Sequence, residues 1–185
     1  MQRLESFINS YFAFHYGVGF AIGLVIFCVY RYWVSRRKKS QGQSISKKEI
    51  LCGLVLSIYL VLLLGGTILN RESGEEYLAE WIPFWSYYDL ISEWSKPMAV
   101  QMIYNVLVFI PWGILLPEIV SVARKFRVVV LSAAGLSFVI EVVQLLFRLG
   151  LFEFDDVFHN TLGAVIGYGV WWICQNWTRR NHGKE

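Results

Sequence analysis

"ILCGLVLSIYLVLLLGGTIL", residues 50–69, runs for the length of a membrane span without one charged side chain. About 20 mostly apolar residues in a helix cross a hydrocarbon core of roughly 30 Å. A helix also satisfies its own backbone hydrogen bonds in lipid, which an isolated strand cannot do. Four further segments are comparable: about 12–30, 99–117, 128–147 and 157–175. The chain is 56% hydrophobic and only 17% charged, which excludes an ordinary soluble domain. Aromatics at 17% suit a protein with two membrane interfaces to line. No internal repeat or low-complexity tract is present. The expected fold is an all-α polytopic bundle of five transmembrane helices.

A cleaved signal peptide is the competing reading of the first segment. Against it, Arg3 is offset by Glu5, and the run is followed by "RYWVSRRKK" (31–39), not by a small-residue cleavage site.

The basic residues set the expected topology. Arg31, Arg36, Arg37, Lys38, Lys39, Lys47 and Lys48 lie between spans one and two. Arg124, Lys125 and Arg127 lie between three and four, and Arg179, Arg180 and Lys184 follow span five. Only Arg3, Arg71, Lys96 and Arg148 fall on the other side. The positive-inside rule puts the larger group in the cytoplasm, with the N-terminus outside and the C-terminus inside. The acids lean the opposite way, Glu72 among them, which is consistent. Cys28, Cys52 and Cys174 then sit at cytoplasmic ends, where a structural disulfide is not expected. They read as small buried apolar residues.

"EVVQLLFRLGLFEFDDVFHN", residues 141–160, joins spans four and five and concentrates the costly polar groups. Glu141, Gln144 and Arg148 are spaced i, i+3, i+7, which places them within about 60° on one helix face. Arg148 would stand roughly 10 Å along the axis from Glu141, within reach of it or of a shared ligand. Asp156, Asn160, Gly163 and Gly167 share a second face within about 60°. Gly163 and Gly167 form a small-xxx-small pair for close helix approach, with span four as the expected neighbour. Asn105 on span three adds a third wall, and Pro111 is expected to bend that helix. The expected result is a polar pocket open to the outside.

Each group also has a plainer reading. Asp155 and Asp156 would cap span five and complement its dipole. Arg148 would snorkel to headgroups, and His159 would be an interfacial residue. Asn105 and Asn160 would be interhelical glue. Glu141 resists these, because a carboxylate at that depth must be paired, protonated or functional. The connection 70–98 contains "EYLAEWIPFWSYYDLISEW" and reads as a loop or short helix on the outer leaflet, or as an ordinary aromatic belt.

The segments "WIPF" (81–84), "NVLVFIPWGILLP" (105–117), "EVVQ" (141–144) and "FEFDDVFHNTLGAVIGY" (152–168) resemble the VanZ-like family. Asn105, Phe109, Pro111, Gly113 and Pro117 match one motif, and Glu141 and Gln144 a second. Asp155, Asp156, Asn160, Gly163 and Gly167 match a third. Trp81 and Leu151 depart from the family pattern, at an asparagine and an arginine respectively. The resemblance divides the chain into residues 1–79 (two helices and a basic cytoplasmic loop), 80–175 (a VanZ-like core) and 176–185 (a basic tail). It implies a cell-membrane protein of Gram-positive type, and the family is associated with resistance to the glycopeptide antibiotic teicoplanin.

Two functions are expected in competition. In the first, the outward pocket binds or acts on a lipid-linked envelope component or a lipoglycopeptide. Glu141, Asp155 and Asp156 are its reactive candidates, with Asn105, Gln144, Arg148, Asn160, Trp81 and Phe84 as binding residues. In the second, a membrane-embedded enzyme uses Glu141 and Asp155/Asp156 in acid–base or metal-assisted chemistry. Glu153 or His159 would join those aspartates around a cation, and Arg148 would take a phosphate. No H-E-x-x-H or C-x-x-C occurs, so the sequence assigns no metal site, leaves open whether the acids bind one, and names no cofactor. A transporter would lack an internal repeat. Membrane lipids are expected partners and nucleic acid is not, since the basic loop reads as a topology signal. Oligomeric state is left open.

Overall fold

The structure, a computed structural model, describes residues 2–40, 42, 44–69, 71 and 73–182. Side chains are described from Val18 onward, apart from Phe20, Glu93 and His182. Glu72 and Lys184, counted in the charge asymmetry, lie outside the described residues, as do the side chains of Arg3 and Glu5. The chain forms two compact units, residues 1–71 and 72–185.

In the first unit, α1 (Gln2–Ser40) and α2 (Lys47–Leu64) form a helical hairpin, and α2 runs on through a π-type turn at Gly65–Leu69. The start of α2 is fixed by a reciprocal cap. Ser46 Oγ accepts from the Glu49 N–H at 3.2 Å, and Glu49 Oε2 accepts from the Ser46 N–H at 2.9 Å. Lys38 pairs with Glu49 at 3.0 Å, and the Tyr30 hydroxyl donates to the Glu49 carbonyl at 2.9 Å. The chain thus turns sharply where the sequence is most basic.

The second unit contains β1 (Leu78–Glu80), α3 (Trp85–Glu93), α4 (Lys96–Ile119), α5 (Phe126–Leu146), β2 (Leu151–Glu153) and α6 (Phe154–His182). Helix α4 continues through both Pro111 and Pro117. Three helices among the described residues are long and apolar enough to cross a membrane: Lys47–Leu69, Lys96–Ile119 and Phe126–Leu146. The segments 12–30 and 157–175 lie within α1 and α6.

Two features differ from the sequence reading. The fold is helical but carries a two-stranded parallel sheet, β1 on β2, with Leu78 opposite Leu151 and Glu80 opposite Glu153. Strands of three residues are too short to show a period-2 pattern. The glycine face of α6 also packs on α4, not on α5. A Cβ on Gly163 would lie 2.0 Å from the Val106 carbonyl oxygen, and one on Gly167 2.1 Å from that of Ile110. From the other side, a Cβ on Gly113 would lie 2.1 Å from the Ala164 carbonyl oxygen. The contacts advance together along both helices, so α4 and α6 run parallel at near backbone contact. Such an approach requires hydrogen in place of a side chain on each side. Sequence neighbours α5 and α6 run antiparallel, with Asn160 beside Ser137 and Tyr168 beside Arg124.

The cysteines form no disulfide, and Cys28 and Cys174 face outward from their helices instead of into the bundle. Those outward faces are apolar, so a thiol there is as much at home as in a core.

Candidate functional site

The buried face of α5 is a single stripe: Val129, Ala133, Ser137, Ile140, Glu141 and Gln144. Its apolar part lies toward the start of the helix and its polar part toward the end. Glu141 is 2% exposed, and its Oε2 accepts the Glu153 N–H at 3.2 Å. The carboxylate thus reaches past its own helix and fixes the strand that leads into α6. Gln144 is buried one turn further on. Arg148 does not join them. Helix α5 ends at Leu146, and Arg148 adopts a left-handed backbone with φ 55°. Its Nη2 donates to the Tyr77 hydroxyl at 3.1 Å, and the guanidinium stacks 4.3 Å from that ring's centre. The expected meeting with Glu141 fails because helical spacing was extended past the helix end.

Asp155 is buried and acts as a cap, but for a different helix from the one it begins. Its Oδ1 accepts from the Phe84 N–H at 2.7 Å and its Oδ2 from the Ser86 N–H at 3.0 Å. Those donors open α3, whose own N-cap, Phe84, sits at φ 66° and offers no capping side chain. A carboxylate at a helix N-terminus satisfies orphaned N–H groups and complements the dipole. The "WIPF" and "DD" segments are thereby explained together. Phe84 also packs edge-on against Phe158, 6.1 Å between ring centres, and Trp81 lies 4.4 Å from Phe152.

Beside this cap sits a carboxyl pair. Glu153 is hydrogen-bonded to Asp156, and the Gln101 amide donates to its Oε2. Burial, followed by the charge and hydrogen bond of Asp156, pushes the Glu153 carboxyl up to about 7. The Glu153 carboxyl thus holds its proton to higher pH than an ordinary carboxylate. Among the described residues, no three His, Cys, Asp or Glu side chains converge as a metal site.

The third feature is unmet polar demand. Asn160 donates to Ser137 Oγ at 2.7 Å, but its Oδ1 is buried with no partner in the chain. Asn105 Nδ2 is buried in the same condition. His159 is 2% exposed; its Nε2 lies 3.0 Å from the Tyr87 hydroxyl, while its Nδ1 has no partner. His159 is therefore a buried group and not an interfacial one, because α3 covers it. The seam register, Val106 against Gly163, brings Asn105 and Asn160 within about one turn of each other on the paired helices.

Sequence reasoning does not mark Ser137, Gln101 or Tyr77, and it reads Tyr87 only as an aromatic of the outer connection, not as the partner of His159. Ser137 and Gln101 each stand four residues before a flagged residue, Glu141 and Asn105, so helical spacing carried a signal for both. Nothing local marks the partners of Tyr87 and Tyr77, which lie about seventy residues away.

Three described helices long and apolar enough to cross a bilayer mark the chain as a membrane protein. The chain belongs to the VanZ/LLP1 family, whose family model matches residues 18–175. It is 36% identical over 76 residues to Protein VanZ of Enterococcus faecium, a match covering 38% of this chain and 45% of that protein. The matched stretch is thus less than half of the relative's length. No solved structure matches the chain.

Proposed function

We propose that the chain is a five-span cell-membrane protein whose polar cluster faces outside and binds a lipid-linked envelope component or a lipoglycopeptide. The N-terminus is outside and the C-terminus inside, a topology supported by the thirteen basic residues on one side against four on the other. The observation carrying the ligand reading is the unpartnered set Asn105 Nδ2, Asn160 Oδ1 and His159 Nδ1. A buried polar atom without a partner costs about 1–3 kcal/mol, so its retention favours a role in contacting something outside the chain. The set offers an amide donor, an amide acceptor and a ring nitrogen, suited to a polyhydroxylated or amide-rich head group. Exposed Trp81 and Phe84 nearby suit an acyl chain. Teicoplanin combines an acyl chain with a peptide head, and family membership favours a contribution to resistance against it.

The test uses protein reconstituted in nanodiscs. Saturable binding of teicoplanin or of a polyprenyl-linked wall precursor is expected, and Asn105→Leu is expected to abolish it while preserving or raising thermal stability. No saturable binding of either compound, together with full resistance in cells expressing Asn105→Leu and Glu141→Gln, would sink the reading.

A membrane-embedded enzyme is the second reading, and the Glu153–Asp156 pair favours it. A carboxyl titrating near 7 is matched to general acid–base work on an envelope lipid. Asp155 supports that pair by charge, while both its oxygens hold α3. Product release from labelled envelope lipids, absent in Asp156→Ala and Glu153→Gln, is the expected outcome. Equal turnover in wild type and both variants would exclude these groups.

A further inference from the structure

Helix α3 is fastened on one side only. Its inner side carries buried Ser86, the Tyr87–His159 contact and the two N–H groups held by Asp155. Its other side presents Trp85, Tyr88 and Ile91, spaced i, i+3, i+6, within an arc of about 120°. Ile91 is 75% exposed, and Trp94 just beyond the helix is 88% exposed. The Trp85 and Tyr88 rings lie 5.3 Å apart. No charged residue falls within the arc. The polar residue that does, Ser92, donates its hydroxyl back to the Tyr88 carbonyl at 2.8 Å.

What covers this face follows from the next element. Helix α4, an apolar span, begins at Lys96, two residues after Trp94. Helix α3 is therefore tethered at the level where α4 passes from water into hydrocarbon. Nine residues reach only about 14 Å, too short to cross the core. A short helix with Trp and Tyr on its free side is matched to the headgroup–acyl boundary, where one end of each ring is apolar and the other wet. We propose that α3 is an interfacial helix whose Trp85, Tyr88, Ile91 and Trp94 sit in the lipid headgroup layer, and that Asp155 is the positioning residue that sets its height and tilt. Asp155 anchors the helix from within the bundle, and the lipid holds it from the opposite side. The roof over His159 is then part protein and part membrane. This rests on α4 crossing the membrane and is independent of the ligand reading above.

The test is spin labelling of the full chain with Cys28, Cys52 and Cys174 changed to serine. Single labels at Ile91→Cys, at Glu76→Cys and at Leu107→Cys on the exposed side of α4 are compared in vesicles of phosphatidylcholine and phosphatidylglycerol. The expected result is an oxygen-to-nickel accessibility ratio several-fold higher at Ile91 than at Glu76, approaching that at Leu107. An Ile91 label as open to the nickel reagent as Glu76, with Leu107 lipid-like, overturns the inference alone. An Ile91 label shielded from both reagents means that protein covers the face, and also overturns it. A water-accessible Leu107 removes the membrane reading and this inference together. Asp155→Ala is expected to sharpen the Ile91 spectrum towards free motion while the protein stays monodisperse. Asp155→Asn, which keeps one carbonyl acceptor, is expected to fall between. If neither variant changes that spectrum, Asp155 does not position the helix.

Discussion

The two units use polar side chains differently. In residues 1–71 the bonds are mostly short in sequence: Ser46 with Glu49, the Ser57 hydroxyl with Gly53, Thr67 with Leu63. They cap a helix or fold a hydroxyl back onto its own turn. In residues 72–185 local bonds such as Ser92 with Tyr88 are joined by many long ones: Asp155 with Phe84 and Ser86, Ser73 with Phe147, Glu153 with Gln101, Asn160 with Ser137. There the polar groups join segments that apolar packing cannot hold in place by itself. In lipid, helices gain little from apolar contact with one another, so close packing and specific polar bonds must fix their arrangement. The second unit has both devices, and it is the unit with the candidate site.

The comparison is broken most severely at the glycine seam. Gly163→Val puts a methyl-bearing side chain into a backbone carbonyl, and overpacking of this kind costs about 1–3 kcal/mol or more. Loss of monodisperse protein in detergent is expected, whereas Gly135→Ala, where a Cβ meets nothing within 4 Å, should elute unchanged. If both variants behave alike, the seam is not what holds α4 to α6.

Next comes the long-range acceptor. Glu141→Ala leaves the buried Glu153 N–H without its bond, a loss of roughly 1–3 kcal/mol, while Glu141→Gln should retain most of the stability. Thermal unfolding of the pair checks this, and equal melting temperatures would mean that the carboxylate does not hold β2. In the first unit, Ser46→Ala removes a local cap and should cost about 1 kcal/mol. That loss should appear as fraying at the start of α2, seen by amide exchange, with no change in the second unit.

The smallest expected effect is the pH profile of Glu153. Its folded pKa is raised, so between about 4.5 and 7 the folded state keeps a proton that the unfolded state has released. Stability conferred by that proton is complete below 4.5, falls as pH rises through this window, and is gone above 7. Glu153→Gln should flatten this slope in thermal melts across the window, and an unchanged slope would assign the titration elsewhere.

Much of this was legible beforehand, for identifiable reasons. Uncharged runs such as 50–69 announce helices because hydrocarbon tolerates little else. Gly163, Gly167, Glu141 and Asn160 were visible because a 3.6-residue period gathers them on faces. The partners were not visible. Chain proximity points the glycine face of α6 at α5, yet it is α4 that offers Gly113 to receive it. Asp155 read as a cap, and it is one, but the helix it caps starts 71 residues earlier. The spacing that aligns Arg148 with Glu141 holds only in a helix, and α5 ends at Leu146. Spacing reports which face a residue occupies and says nothing about what lies across from it.

The borrowed cap on α3 also has a consequence in time. A ribosome delivers residues 84–86 well before residue 155, so α3 emerges without the acceptor that completes its first turn. Strand β1 likewise waits for β2. The segment between the hairpin and α4 can reach its final form only after β2 and the first turn of α6 have been made. Its closure is therefore a late step of assembly, and a chain truncated before Asp155 would leave the aromatic helix unanchored.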